Sequence, residues 1–255
     1  NILIPPSEGE LASGLYGQGK MEEPENIVSF VKDDLKRKSP LYGKKILITA
    51  GPTQEKIDQV RFISNYSSGK MGISLAKIGA ELGGEIILIK GPTQKTISHP
   101  NINIIDVVSS DNMLEEVLKN IESFDIGIFA AAVSDFKPKK IITKKIKKKD
   151  GFDEIKLDIT KDILSEVSRL KKNKQIIVGF ALETDNEFEN AIRKIEEKNL
   201  DLIVLNSLND KHAGFGYDTN KITLIDSAKN IDKFEVKQKD DVARDIYNKI
   251  LNDTK

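Results

Sequence analysis

The chain has 255 residues, and its 40 basic side chains balance its 40 acidic ones, which gives a formal net charge of zero at pH 7. A neutral chain of this size is expected to form one large domain with or without an appendage, and it has no overall attraction for nucleic acid or anionic membranes. The absence of cysteine excludes disulfides, thiolate nucleophiles and cysteine-ligated zinc, and the absence of a signal peptide or a run of about 20 apolar residues predicts a cytoplasmic protein.

Residues 1–43 are predicted to lie outside the main domain. The glycine-rich stretch 12–20 is typical of a loop, and residues 24–31 are expected to form a short helix with proline in its first turn. A charged linker is predicted over residues 32–38. This region therefore indicates a remnant of a preceding domain and a linker, and the main domain is expected over residues 44–255.

From residue 44 onward, patterns typical of strands and helices alternate. Short buried strands are predicted at 45–50, 85–90, 103–107, 125–130, 175–179 and 201–205. Amphipathic helices are predicted at 71–82, 113–121, 162–170, 187–198 and 240–251. This order predicts an α/β fold of the Rossmann-like three-layer type, with a mostly parallel, doubly wound sheet.

Two segments depart from this alternation and predict β-hairpin excursions. Residues 145–159 contain an Asp-Gly turn signal at 150–151, which alternating apolar residues follow. Residues 220–225 and 234–237 predict a second antiparallel pair.

Candidate ligand segments lie at the ends of the predicted strands, because parallel sheets bind ligands beyond the carboxyl ends of their strands. The first segment combines a Gly-Pro-Thr turn at 51–53, which a second such turn at 91–93 repeats, with a loop in which Ser67, Ser68 and Gly69 begin a helix. Free N–H groups and the helix dipole favour an anion there. Neither a Walker A loop nor a GxGxxG motif is present, so a serine cap with small residues for close packing is the alternative.

The second candidate segment spans residues 130–138. It begins with Ala130, Ala131 and Ala132 and contains Asp135. The three small side chains leave room for a planar group, and the carboxylate can accept hydrogen bonds from it or help to hold a metal. Tight packing with a turn aspartate is the alternative.

The third candidate segment is a run of eight lysines over residues 137–149 with no acidic residue among them. Such a run creates a local positive field, although a solvated hairpin flank is the usual meaning. Lys194 and Lys198 lie four apart on a predicted helix and share one stripe, which is either a second cationic patch or a solvent-facing surface. With no cysteine and two histidines, these residues indicate anion or nucleotide binding rather than acyl-enzyme chemistry.

Six motifs, taken together and in order, resemble the phosphopantothenate–cysteine ligase family, the ligase half of a bacterial bifunctional coenzyme A protein. They are ITAGPT at 48–53, RFISNYSSGKMG at 61–72, AAAVSDFKP at 130–138, KIKK at 145–148, VGFALET at 178–184 and DLIVLN at 201–206. The resemblance extends from about residue 44 to the end of the sequence.

Residues 5–28 resemble the tail of the other half, a flavin-dependent phosphopantothenoylcysteine decarboxylase, so a decarboxylase remnant is expected over residues 1–31. Ser13 stands where that family has a catalytic cysteine, and the flavin-binding body is missing from the sequence. Decarboxylase activity is therefore not expected, and FMN would belong only to the missing domain.

The resemblance implies a reaction in two steps. The carboxylate of 4′-phosphopantothenate attacks the α-phosphate of CTP, which gives an acyl-cytidylate and pyrophosphate, and the amine of L-cysteine then displaces CMP. Bringing an anionic nucleophile to a polyanion requires positive charge, and Mg²⁺ is the expected metal, with no ligands assigned. Eukaryotic relatives use ATP, and the decarboxylase-like tail favours the bacterial, CTP-dependent type.

The resemblance also implies roles for individual residues. The nucleotide site would comprise Ala130, Ala131, Ala132, Asp135, Lys145, Lys161, Asp162, Ile163, Leu164, Phe180, Lys194 and Lys198. Asn65 would hold the acyl-cytidylate and Lys145 would stabilise charge at phosphorus, and both are the expected catalytic residues. Arg61, Asn65, Ser67, Ser68 and Gly69 would bind phosphopantothenate. The expected assembly is a homodimer with its active sites near the subunit contact, without nucleic acid or membrane as partner.

Two other functions stay open. The decarboxylase remnant suggests a non-catalytic nucleotide-binding module, and the predicted fold is also that of a dehydrogenase, against which the missing GxGxxG motif counts. Product formation with CTP and with ATP separates these alternatives from the ligase.

Overall fold

The computed structural model describes residues 2–11, 13–147, 154–207, 209 and 214–253. The helices of these residues are α1 (Pro24–Arg37), α2 (Lys70–Glu81), α3 (Ser110–Lys119), α4 (Ile163–Leu170), α5 (Glu187–Glu197) and α6 (Lys239–Asp253). None of them is long and apolar enough to cross a membrane.

The strands of the described residues fall into one large sheet and several short ribbons. They are β1 (Ser7–Glu10), β2 (Tyr16–Lys20), β3 (Lys45–Ala50), β4 (Glu55–Lys56), β5 (Phe62–Ile63), β6 (Glu85–Lys90), β7 (Ile102–Asp106), β8 (Ile126–Phe129), β9 (Phe136–Pro138), β10 (Leu157–Ile159), β11 (Ile176–Glu183), β12 (Leu202–Ser207), β13 (Thr219–Asn220), β14 (Thr223–Asp226), β15 (Ile231–Lys233) and β16 (Lys237–Gln238).

The large sheet has eight strands in the order β15-β14-β12-β11-β8-β3-β6-β7. The six strands from β12 to β7 are parallel; β14 pairs antiparallel with β12, and β15 pairs antiparallel with β14. The order reverses between β3 and β8, which is the switch point where doubly wound sheets bind ligands. The predicted Rossmann-like, mostly parallel α/β fold is confirmed.

Helices cover both faces of this sheet because its parallel strands are apolar on both sides. On one face, Leu75 of α2 packs in the same core as Val242 and Tyr247 of α6. On the other, a second core contains Met113 of α3, Val167 of α4 and further side chains of α5. The buried Tyr247 hydroxyl donates a hydrogen bond to the Leu75 carbonyl oxygen at 2.9 Å, which joins α6 to α2. The cavity described below therefore lies between two separate helical layers.

The N-terminal region differs from its prediction in two places. The stretch predicted as a loop over 12–20 contributes β2, which pairs antiparallel with β1. The predicted linker over 32–38 continues α1, which has no buried residue. Its charged side chains remain in solvent, Lys38 pairs with Asp34 at 2.6 Å, and basic residues in the last turn suit the helix dipole. An exposed helix of this kind has the composition of a linker, which is why the prediction was wrong.

The first predicted hairpin exists with a different first strand. Strand β10 pairs antiparallel with β9, so the ribbon joins residues 136–138 to residues 157–159 instead of beginning at 145. The Thr160 hydroxyl donates to the Ser134 carbonyl oxygen at 2.7 Å and closes the base of this ribbon. The predicted turn at 150–151 lies outside the described residues.

The second predicted excursion is divided between two pairs. Strand β14 joins the large sheet beside β12 and pairs with β15, whereas β13 pairs with β16. The β13–β16 pair brings the chain back to the ligand edge just before α6 begins.

The two Gly-Pro-Thr turns lie against each other. An added Cβ atom at Gly91 would overlap the carbonyl oxygen of Pro52, and one at Gly51, where φ is 80°, would come 3.1 Å from the carbonyl oxygen of Gly91. The Thr93 hydroxyl donates to the Ser68 carbonyl oxygen at 2.7 Å. The loop before α2 therefore packs against the two Gly-Pro-Thr turns.

Candidate functional site

A cavity of about 620 Å³ opens at the carboxyl ends of β8, β11 and β12, beside the start of α2. This volume lies in the usual range for sites that bind small molecules or cofactors. Its lining includes the predicted residues Asn65, Ser67, Ser68, Gly69, Ala130, Ala131, Ala132, Asp135, Lys161, Asp162, Ile163, Leu164, Phe180 and Lys198. Arg61, Lys145 and Lys194 do not line it.

Hydrogen bonds join the residues that follow β3 and β8 at the centre of the cavity. The Ala132 N–H donates to the Gly51 carbonyl oxygen at 2.9 Å, and the Asn65 side-chain amide donates to the Ala132 carbonyl oxygen at 2.6 Å. The other end of the Asn65 side chain, its Oδ1, accepts the Ser67 N–H at 3.0 Å. Asn65 thus ties the loop before α2 to the alanine segment and has a fixed orientation.

The first turn of α2 has no side-chain cap. Its N-cap is Gly69, with φ of 73°, which has no side chain to cap the first turn, so the alternative of a serine cap is wrong; the Ser67 hydroxyl accepts only the Gly69 N–H, at 3.4 Å. The close packing that this alternative also predicts is present, because a Cβ atom at Gly72 would overlap that of Ala50. The start of α2 therefore brings uncapped N–H groups to the cavity, where they favour an anion.

Carboxylates neutralise the two lysines that were expected at the phosphates, one in α5 and one directly after it. Lys198 lies 2.6 Å from Asp162, which caps α4 by accepting the Ser165 N–H at 3.1 Å. Burial favours the neutral acid at Asp162, but hydrogen bonds from Lys198 and Ser165 outweigh it and lower the pKa of Asp162 below its ordinary value. Lys194 lies 2.5 Å from Glu183 at the end of β11.

Lys145 is exposed, and the residue after it is clamped by an ion pair. The Asp58 carboxylate accepts the Ile146 N–H at 3.1 Å, and the Arg61 guanidinium donates to the Ile146 carbonyl oxygen at 2.8 Å. Arg61 also lies 2.5 Å from Asp58, and its hydrogen bond holds the pKa of that buried carboxyl well below its usual range. Arg61 thus contacts the lysine segment rather than the cavity. Lys148 and Lys149 lie outside the described residues.

The sequence analysis missed a group of lining residues on the α2–α6 side. They are Lys70, Met71, Asn206, Gly214, Phe215, Asn220 and Lys239. Lys239 begins α6 and is 6% exposed, and its Nζ donates to the carbonyl oxygens of Gly214, at 3.0 Å, and of Tyr217. Burial lowers the pKa of Lys239 to about 8. Lys70, Met71 and Asn206 lie in the quoted motifs, which were a signal for them. Lys239 is one of 40 basic residues, and no motif marks it.

The described residues contain no cluster of three or more His, Cys, Asp or Glu side chains that could hold a metal. Asp135, which is exposed, and Asp162, which is paired with Lys198, are the carboxylates in the cavity lining. A Mg²⁺ ion bound to phosphates commonly takes one or two protein carboxylates, and Asp135 fits that requirement.

Comparisons with known proteins agree with this fold. Residues 41–254 match the family described as "DNA/pantothenate metabolism flavoprotein C-terminal domain". The crystal structure of the C-terminal domain of a coenzyme A biosynthesis bifunctional protein CoaBC superposes with a TM-score of 0.71 at 38% identity, covering 84% of this chain and 96% of that one.

Two curated relatives are longer than this chain. CoaBC of Bacillus subtilis (strain 168) is 44% identical over 250 residues, which are 97% of this chain and 61% of the relative. A protein named cysteine/cysteine sulfinic acid decarboxylase, from an unknown prokaryotic organism, is 52% identical over 255 residues, 98% of this chain and 71% of the relative. The chain thus spans about three fifths to seven tenths of these proteins. It belongs to the DNA/pantothenate metabolism flavoprotein C-terminal domain family, that of the phosphopantothenate–cysteine ligase half of the bifunctional coenzyme A proteins.

Proposed function

We propose that this chain joins 4′-phosphopantothenate to L-cysteine with cleavage of CTP to CMP and pyrophosphate, through an acyl-cytidylate. The observation that carries the proposal is the cavity at the switch point, where Asn65, the alanine segment and the start of α4 meet. Uncapped N–H groups of α2 and several lysines supply the positive charge that this chemistry requires.

In this proposal Asn65 acts at the centre of the reaction. Its amide links the α2 loop to Ala132, so it can orient the acyl-cytidylate between the two helical layers. The small side chains of Ala130 and Ala131 leave the backbone accessible to the planar cytosine. Phe180 gives the nucleotide an apolar contact.

Lys145 acts from the clamped segment. Asp58 and Arg61 hold both backbone polar groups of Ile146, so the segment has a defined anchor while the Lys145 side chain extends into solvent. We assign to its ammonium the stabilisation of charge on the reacting phosphate. Asp135 is the residue we expect to contact Mg²⁺, which would neutralise phosphate oxygens when bound.

We also propose a homodimer formed through the exposed apolar ribbons. Phe62 is 48% exposed, Phe136 50% and Leu157 47%, and β4 and β9 lie close together. Apolar patches of this kind commonly mark protein–protein contacts. In sedimentation experiments Leu157→Lys should shift the chain to monomer, whereas Leu35→Lys, on the exposed helix α1, should not. An unchanged distribution in Leu157→Lys contradicts this interface.

The test of the ligase is pyrophosphate release with 4′-phosphopantothenate, L-cysteine and either CTP or ATP. We expect turnover with CTP, a much lower rate with ATP, and loss of activity in Lys145→Gln without loss of the fold. CTP binding without turnover would instead support a nucleotide-binding module. The name of the 52% identical relative raises decarboxylation as an alternative. The absence of cysteine speaks against a thiol-dependent route, and carbon dioxide release in the same mixtures tests it.

A further inference from the structure

The α2–α6 side of the cavity contains a buried cation that the proposed mechanism does not use. Lys239 is 6% exposed, lines the cavity and belongs to the first turn of α6. A lysine ammonium has three N–H donors, and the hydrogen bonds of the described residues use two of them, on the carbonyl oxygens of Gly214 and Tyr217. Within the described part of the chain, one donor of the ammonium is left at the wall of the cavity.

The charge of this ammonium has no direct counter-ion among the described residues. Its hydrogen-bond acceptors are neutral carbonyl groups, and the nearest acidic influence is Asp218, which is paired with Lys70 at 2.6 Å. Lys70 is itself a second cation that faces Lys239. Buried charges are normally paired, so an unpaired one beside a cavity is an anion site that the protein alone does not complete.

The surrounding polar groups form a connected wall. The Asn220 side-chain oxygen accepts the Gly214 N–H at 3.3 Å, and its amide nitrogen lies 3.4 Å from the side-chain oxygen of Asn206. Asn206 is the last but one residue of β12, and β13 contains Asn220. Two strands and the loop at Gly214 therefore position polar groups around Lys239.

The wall shares its helical layer with Ala130 and Phe180, whereas the α4 residues of the proposed nucleotide site belong to the other layer. Ile163 and Leu164 of α4 belong to one core, and Met71 and the apolar residues of α6 belong to the other. Lys198, the expected phosphate ligand, also lies on the α4–α5 side. It directly follows α5, which packs in the same core as α4, and it pairs with Asp162. A nucleotide whose phosphates reach Lys198 on the α4–α5 side leaves the Lys239 ammonium to another reactant.

We propose that Lys239 binds an anionic oxygen group, a phosphate or a carboxylate, of a substrate other than the nucleotide. This inference rests on the proposed function, in which both other substrates carry such a group. The uncapped N–H groups of α2 supply further positive charge to the same subsite, whereas the charge of Lys70 is balanced by Asp218.

The test is isothermal titration of 4′-phosphopantothenate, L-cysteine and CTP, one at a time, into the wild-type chain and into Lys239→Gln. The matched control is Lys237→Gln, two residues away, whose side chain pairs with Asp245 and does not line the cavity. We expect Lys239→Gln to lower the affinity for 4′-phosphopantothenate or for L-cysteine roughly tenfold or more. The affinity for CTP should fall less than about threefold. The substrate that is weakened identifies the group as phosphate or carboxylate.

A second variant covers the case in which Lys239→Gln does not fold. Asn206→Asp leaves Lys239 and its loop intact but adds a carboxylate to the same wall, so it should weaken the same substrate. Equal weakening of CTP, unchanged affinities in both variants, or a wild-type chain that binds neither substrate would overturn the inference. Because the titration needs no turnover, normal pyrophosphate release with unchanged affinities refutes the Lys239 role and leaves the ligase standing.

Discussion

Two lysines on opposite sides of the cavity, Lys198 and Lys239, lie in opposite electrostatic environments. On the α4–α5 side, Lys198 lies 2.6 Å from Asp162, and its side chain is partly exposed. On the α2–α6 side, Lys239 is buried against carbonyl groups, and burial lowers its pKa to about 8. An anion that binds Lys198 must displace a carboxylate, whereas one that binds Lys239 supplies a missing counter-ion. The immediate neighbours of a lysine therefore decide what a ligand does to it, since Lys70, on the same side as Lys239, is paired with Asp218.

The largest effect is expected where the two sides meet, in Asn65→Asp. A carboxylate can still accept the Ser67 N–H but cannot donate to the Ala132 carbonyl oxygen, which would then face a negative oxygen at about the present 2.6 Å. We expect ligation to fall roughly 100-fold, with acyl-cytidylate accumulating. Chromatography of quenched reactions measures it. A near wild-type rate contradicts the assigned role.

Lys239 should make the stability of the folded chain depend on pH. Between pH 8 and 10.5 the unfolded chain keeps the proton on Lys239 while the folded chain releases it, so this group makes stability rise with pH in that window. The free energy of unfolding of the wild type, minus that of Lys239→Gln, should increase by roughly 2–3 kcal/mol across the window. Urea unfolding at four pH values measures it, and a flat difference would show that the Lys239 pKa is ordinary.

The role of the Lys198–Asp162 ion pair is tested by replacing each partner in turn. Lys198→Gln should raise the KM for CTP about tenfold. Asp162→Asn, which can still cap α4, should leave that KM unchanged or lower it, because Lys198 no longer has a competing carboxylate. Lys172→Gln, which removes an exposed partner of Glu122, is the control. A raised KM in Asp162→Asn would mean that the carboxylate itself contacts the nucleotide.

The smallest effect concerns the scaffold that positions the α2–α6 side. Tyr247→Phe removes the hydroxyl that donates to Leu75 and should lower the free energy of unfolding by about 1 kcal/mol. Because the ring still fills the core, the affinities for all three substrates should stay within twofold. A larger affinity change would show that the α2–α6 contact transmits strain to the cavity.

Sequence patterns predicted the sheet because its strands are short apolar runs that end at turns. Strand β3 is the clear case, since five of its six residues are buried. The same reasoning found the first half of α1, over 24–31, but missed its second half, where charged residues dominate and no apolar run marks the length of the helix.

The site was predictable where its residues are contiguous. Residues 130–132 and 161–164 follow the ends of parallel strands or begin helices, so their proximity follows from the fold. The wall around Lys239 is assembled from four distant parts of the chain by the β13–β16 pairing, which no local pattern encodes. The family resemblance likewise could not indicate that Arg61 contacts Asp58 and Ile146 in this state.

The touching Gly-Pro-Thr turns set a limit on redesign of the pocket. Backbone meets backbone at Gly51 and Gly91, and Gly72 is pressed against Ala50, so no side chain there can be trimmed to gain room. Enlarging the cavity for bulkier acids or amines would have to change other lining residues, such as Phe215 or Leu164, and leave the glycine turns unchanged.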